Sequence, residues 1–320
     1  MDGNFGEVVL SQGGPYQGGL DLIRAIQGFA NPFLTFFMKL ITNSVSEYVF
    51  FAVIMILFWL VNERKAFRLG LLVILSAWFS TVLKALFKQP RPFHLENSLG
   101  MIHERGYGLP SGHAQLILVF LVPLALWLIK TPGKFRPRNA LVAVAAALIV
   151  LLVSFSRLYL GVHFPQDILA GWALGGLSLA LFFFVEKKEF PRSPRARFAA
   201  AAALSLLMNA LAPREISLGA MFFGFASGYA LMKSRFPFSA KNGGPFPLHS
   251  AIVRLAVGFS GVLILYAGLR LVFPGPSSSW YSLFRFIRYA VVGFWVSCIA
   301  PWLFGKFAPV TGQSCKKAEK

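Results

Sequence analysis

Three short segments of the chain carry basic, histidine and carboxylate side chains at spacings suited to phosphate chemistry. The first is Lys84-Ala-Leu-Phe-Lys-Gln-Pro-Arg91-Pro92. Lys84 and Arg91 stand about two helical turns apart, so both can face one side. Lys brings a point charge and Arg a planar fork, a pair able to grip a phosphate. The same pair serves equally well to reach anionic headgroups from a helix end. The second is Pro110-Ser111-Gly112-His113. Pro and Ser suit the start of a helix, where free N–H groups make an anion site, and Gly112 lets an oxyanion approach the backbone. Read blandly, it is a helix cap with a histidine one turn in. The third is Ser156-Arg157, followed by His163 and Asp167. His163 and Asp167 share a face at i, i+4 if Pro165 opens a helix. A carboxylate beside an imidazole fixes its tautomer and prepares the other ring nitrogen as nucleophile or base. The alternative is a structural His–Asp pair tying two helices.

The elements that must position these groups are apolar. Of 320 residues, 56% are hydrophobic, 13% are charged and 34 are Phe. A soluble domain is about 45–50% apolar and about 25% charged. This composition therefore predicts an all-α, polytopic membrane protein and excludes disorder. With two Cys, Cys298 and Cys315, a disulfide scaffold is excluded as well. Runs long enough to cross about 30 Å of hydrocarbon are 46–62, 67–87, 111–129, 140–160, 165–185, 197–212, 216–232, 251–273 and 283–305. The runs 197–212 and 216–232 read as a helical hairpin. Residues 18–42 are weaker, with Leu20, Ile23, Ile26 and Phe29 at helical spacing and a break at Asn31-Pro32, and read as amphipathic interfacial helices. Residues 1–16 are polar and Gly-rich, so no cleavable signal peptide is expected.

The net charge is +19. In a soluble protein this would suggest nucleic acid; here it is read as topology, with no nucleic-acid partner. Nineteen of the 31 Lys and Arg fall in alternate loops, those after runs one, three, five, seven and nine. The positive-inside rule makes those loops cytoplasmic, with the N-terminus outside and the C-terminus inside. The three polar segments then all fall on the outer face. His94 and His103 read as solvated loop residues on that face, or as secondary substrate contacts, and His249 lies on the cytoplasmic side. No cluster has the tight spacing of a metal site, so neither a metal nor another cofactor is expected. Arg254, Arg270, Arg285 and Arg288 lie within apolar runs; snorkelling at helix ends suits the last three.

Taken in order, Lys84 to Arg91-Pro92, Pro110-Ser111-Gly112-His113, and Ser156-Arg157 with His163 and Asp167 resemble the three signature motifs of the type 2 phosphatidic acid phosphatase superfamily. The resemblance covers about residues 46–212. It implies a six-helix membrane phosphatase core (46–212); the apolar runs then leave an N-terminal interfacial segment (1–45) and a C-terminal extension of about three transmembrane helices and a tail (213–320), about which the motifs say nothing. It also implies roles. Lys84, Arg91, Arg157, Ser111 and the Gly112 N–H would hold the phosphoryl oxygens. His163 would attack phosphorus, Asp167 would orient it, and His113 would protonate the leaving group and then activate water. The expected activity is metal-independent hydrolysis of a lipid phosphate or polyprenyl diphosphate at the outer (periplasmic or lumenal) face; the compact loops suggest a bacterial inner membrane, with endoplasmic reticulum the alternative. Rival readings are a phosphatase for a soluble sugar phosphate and a non-enzymatic lipid transporter.

Overall fold

A computed structural model describes residues 14–129, 136–186, 193–236, 238–240 and 248–307. Among these residues there are helices and no strands. The N-terminal helices are α1 (Gln17–Gln27) and α2 (Pro32–Asn43). Each apolar run becomes a helix: α3 (Glu47–Ile56) with a π-helical turn Leu57–Val61, α4 (Glu63–Phe87), α6 (Gly112–Leu128), α7 (Pro137–Tyr159), α8 (Pro165–Glu186), α9 (Pro194–Leu211), α10 (Ile216–Arg235), α11 (Leu248–Val272) and α12 (Tyr281–Phe294). Short α5 (Pro92–Leu95) lies between α4 and α6, and α13 (Ala300–Phe307) follows a π-helical turn after α12. Proline marks many of the helix starts, as its fixed φ and missing N–H favour. Asn31 caps α2, its side chain accepting from Leu34 N–H at 2.9 Å, and Ser193 caps α9 in the same way at Ala196.

Among the described residues, six helices are by themselves long and apolar enough to cross a membrane. A seventh span results if α2 and the helix Glu47–Val61 count as one broken span, while α6 is a shorter apolar helix. The chain is an integral, multi-pass membrane protein. Much of the linkers 186–197 and 233–250, many of the Lys and Arg counted above and the tail with Cys315 lie outside the described residues.

Two compact units are formed, Met1–Phe50 with Phe79–Val185, and Phe51–Trp78 with Glu186–Lys320. In the first, the apolar stripe of α1 is used internally. Leu20 and Ile23 bury against Leu99 and Phe164, while Phe29, Phe33 and Phe36 stay exposed. A neighbouring cluster joins Met38, Phe93, Tyr159, Leu160 and Val162. Each such side chain removed from water contributes about 1.5–3 kcal/mol. Gln27 crosses between the clusters, donating to the Leu99 and Tyr159 carbonyls at 2.9 and 2.8 Å. These contacts pin the 93–109 loop and the 160–164 turn, both of which carry polar site residues.

In the second unit, inter-helix hydrogen bonds supplement packing, as expected where lipid leaves little hydrophobic driving force between helices. Trp78 donates to Met208 O at 2.9 Å, Trp59 to Val296 O at 3.0 Å and Ser205 to Gly219 O at 2.8 Å. Arg254 is buried and donates to Trp59 O at 3.0 Å, with the Phe238 and Phe304 rings over its guanidinium.

Candidate active site

The three polar segments converge in the first unit. Lys84 sits in the last turn of α4, and the chain then leaves the helix so that Arg91 precedes α5. The Arg91 N–H donates to His94 Nδ1 at 3.1 Å, a cap that fixes the turn. Ser111 stands before α6, with His113 in the first turn. Arg157 is in the last turn of α7 and Asp167 in the first turn of α8. Two glycines allow the approach. Gly161 has φ +68°, and a Cβ there would run into the Leu99 carbonyl. At Gly171, a Cβ would come within 2.6 Å of the Ser111 carbonyl oxygen. A hydrogen bond from Ser111 N–H to Asp167 O at 2.8 Å ties α6 to α8.

The partners of His163 define its tautomer. Its Nε2 lies 3.2 Å from Arg91 Nη1, and a guanidinium can only donate, so Nε2 is the acceptor. The proton is then on Nδ1, which donates to Asp167 Oδ2 at 3.3 Å. Asp167 is held in turn by Phe164 N–H at 2.9 Å and Gln89 Nε2 at 2.8 Å. His163 is 1% exposed. Burial first, then the charges of Arg91, Lys84 and Arg157, hold its protonation well below the usual imidazole range. A neutral imidazole with its lone pair toward cations is the result.

Around it stand the predicted phosphate ligands. Arg91 and Arg157 are buried, and Arg91 also donates to the Gly106 and Val162 carbonyls, both at 3.0 Å. Lys84 Nζ donates to the carbonyls of Tyr107 at 2.9 Å and Gly108 at 3.2 Å. Ser111 Oγ is buried without a hydrogen-bond partner and does not cap α6. His113 lies within Coulombic range of Arg157, Glu104, Arg91 and Lys84. All eight predicted site residues thus occur in this one region.

Three further groups escaped sequence reasoning. Glu104 bridges the arginines: it pairs closely with Arg157 and lies 3.2 Å from Arg91 Nη1. Thr42 accepts from the other arm of Arg157, and Gln89 braces Asp167. The available signal for Glu104 was its rarity, an acid in a loop between two cationic motifs, in a chain with 12 Asp and Glu. Thr42, 115 residues before Arg157, left none. His94 is not a solvated loop residue as expected; it caps the Arg91 turn and packs edge-on against Phe93. His103 is exposed, as read, and contacts Asn97 at 3.2 Å.

Burial alone would raise the Glu104 carboxyl, but the charges around it, Arg157 foremost, outweigh this and bring it down to about 2. Its pairing therefore stabilises the fold above the usual Glu value of about 4.3 and is lost as pH falls toward 2. Thermal melting of wild type and Glu104→Gln in detergent is expected to differ by a constant margin from pH 8 to 5. The margin narrows below about pH 4.3.

Comparison with known proteins finds the following likenesses. Residues 65–191 match the PAP2 superfamily. Residues 216–312 match the PAP2 superfamily phosphatase, transmembrane extension. Phosphatidylglycerophosphatase B of Bacillus subtilis is 34% identical over 121 residues, 37% of this chain and 56% of that protein. The undecaprenyl-diphosphatase of Sulfolobus acidocaldarius is 33% identical over 135 residues, 40% of this chain and 59% of that protein. The chain thus spans little more than half the length of these relatives. Among solved structures, a transmembrane PAP2 type phosphatidylglycerolphosphate phosphatase from Bacillus subtilis aligns with TM-score 0.46 and 26% identity, covering 57% of this chain and 91% of that one.

Proposed function

The chain belongs to the PAP2 superfamily, and from that premise we propose that it is a membrane hydrolase that removes phosphate from a lipid phosphate or diphosphate through a phosphohistidine intermediate. The observation that carries the reading is His163, neutral and clamped at Nδ1, with the Nε2 lone pair turned toward Arg91. Substrate phosphate takes the place of the Glu104 carboxylate between Arg91 and Arg157, two forks that suit tetrahedral oxyanions. Lys84, Ser111 Oγ and the Gly112 N–H complete the cradle. Nε2 then attacks phosphorus, forming the N–P bond as the P–O bond to the leaving group breaks. His113 gives that oxygen a proton. The Nδ1–H bond to Asp167 stabilises the cation that develops on the ring. In the second step His113 takes a proton from water, whose oxygen displaces Nε2 and releases inorganic phosphate. The buried arginines offset the transition-state charge without reorganising.

A lipid substrate is supported by an apolar cleft of about 560 Å³ along α6, α7 and α8, with Leu118, Val122, Ala146, Leu151 and Trp172 among its walls. Leu118 lies five residues past His113 on α6 and Trp172 five past Asp167 on α8, each about 7.5 Å along the axis. A phosphate at the helix ends would leave a hydrocarbon chain beside this cleft. The loop-charge asymmetry supports a site on the outer face, periplasmic in a bacterial inner membrane, with the N-terminus outside and the C-terminus in the cytoplasm.

The test is a substrate panel on purified protein in detergent with EDTA present. Phosphate release from polyprenyl diphosphate, phosphatidic acid or phosphatidylglycerol phosphate is expected, with kcat/KM at least about 100-fold above that for glucose 6-phosphate, since each buried methylene adds about 0.8 kcal/mol. Vanadate is expected to inhibit. Equal rates on the sugar phosphate would overturn the lipid assignment, and loss of all activity in EDTA would overturn the metal-independent mechanism.

A further inference from the structure

The C-terminal helices hold a cation that the proposed chemistry does not use. Arg288 is in α12, seven residues past Tyr281 and so about 10 Å along the axis from the helix start. It is 8% exposed. The rings of Tyr266 and Tyr289 grip its guanidinium, both centroids 5.4 Å from Cζ. Its Nε is buried with no hydrogen-bond partner, and among the described residues no carboxylate pairs with it.

No acid is left in the neighbouring sequence to do so. Glu215 is the single Asp or Glu between residues 193 and 307, and it is already engaged. Arg285, one turn before Arg288, reaches it at 3.0 Å, and Ser217 Oγ donates to it at 2.6 Å. Arg254, the other buried arginine of these helices, differs in having a carbonyl acceptor at 3.0 Å. A cation within a span is costly unless something answers its charge. Two aromatic faces answer part of it but accept none of the in-plane N–H bonds. What is missing is an acceptor anion that fits a planar fork, and phosphate is such an anion.

The position tells where the anion comes from. Trp280 caps α12 and Tyr281 opens it, and Trp280 is 61% exposed, as at a membrane–water interface. Side chains on a helix lean toward its N-terminus, so Arg288 leans toward that boundary. We infer that Arg288, held between Tyr266 and Tyr289 with Arg285 one turn nearer the boundary, binds the headgroup phosphate of an anionic phospholipid where α11 ends and α12 begins. The ligand is a phosphodiester lipid, so this is a binding site and not a second active site.

Delipidated protein in detergent tests this by native mass spectrometry with phosphatidylglycerol, phosphatidylcholine or inorganic phosphate as the added probe. Wild type is expected to retain phosphatidylglycerol, and Arg288→Gln to bind it roughly 10–100-fold more weakly, the scale of a charge-assisted hydrogen-bond pair. Phosphatidylcholine is expected to bind the two alike. Unchanged phosphatidylglycerol binding in the variant overturns the proposal. Inorganic phosphate binding as well as the lipid overturns the lipid assignment. If Arg288→Gln does not fold, a photoactivatable phosphatidylglycerol on wild type decides. Labelling of residues 263–269 and 284–292, competed by phosphatidylglycerol and not by phosphatidylcholine, supports the site, and labelling spread evenly over the helices overturns it. None of these readouts depends on turnover, so they stand apart from the proposed hydrolysis.

Discussion

His163→Ala is expected to lower turnover of a lipid phosphate by about 10⁵-fold, the scale seen when a nucleophile that acts as part of a unit is removed. The partners of the imidazole fix its lone pair toward Arg91, the position from which the proposed attack is made. The change leaves Asp167 with its bonds from Phe164 and Gln89, and Arg91 with Glu104 and the carbonyls of Arg105, Gly106 and Val162. The variant should therefore fold and still bind vanadate or substrate. Steady-state phosphate release checks the loss, and alkali-quenched labelling with a lipid carrying ³²P in the transferred phosphate checks the intermediate. Wild type should trap an acid-labile, base-stable phosphoprotein, and the variant none. A variant with near-normal turnover would remove the phosphohistidine step from the mechanism.

Arg157→Lys is expected to cost about 10²–10³-fold in kcat, the loss typical of removing one donor aimed at transition-state charge. Arg157 is fully buried and splits its fork, one arm to Glu104 and the other to Thr42. Lysine keeps the charge but has no planar fork with which to serve both and still face a phosphoryl oxygen. Because the charge remains, Glu104 keeps both counter-ions, so stability should fall less than in Arg157→Ala, which leaves a partly buried carboxylate with Arg91 alone. Kinetics on both variants, with their melting temperatures, separate the two effects. A Lys variant with wild-type kcat would show that Arg157 serves only to anchor Glu104.

Glu104 gives both experiments a further use. It occupies the space between the arginines that the mechanism gives to phosphate. Its displacement on binding is measurable as a loss of the Glu104 pairing when vanadate is bound. Apart from its rarity as an acid between two cationic motifs, nothing marked the residue as a site member, because no spacing rule connects it to Arg157, 53 residues on. Only the return path of the 93–109 loop, pinned by Leu99 and Gln27, brings it under α7.

The division between what was legible and what was not has a physical basis. The helices were legible because apolar runs of membrane length have few other solutions, every backbone polar group needing a partner within its own segment. The eight proposed site residues could be picked out because the chemistry proposed for them depends on residue type and on spacing within a single turn or helix end. His163 and Asp167 at i, i+4 meet wherever α8 starts at Pro165. Side-chain partners separated by long stretches of chain were not legible. Thr42 on Arg157, Gln89 on Asp167 and Glu104 across both arginines depend on how distant segments pack. The +19 charge could be assigned to loops from sequence, but the sequence could not say which intramembrane arginines were answered. The structure gave Arg285 a carboxylate and Arg254 a carbonyl, and left Arg288 between two tyrosines. Local periodicity sets where a charge lies along a helix; what neutralises it is decided by its neighbours in three dimensions.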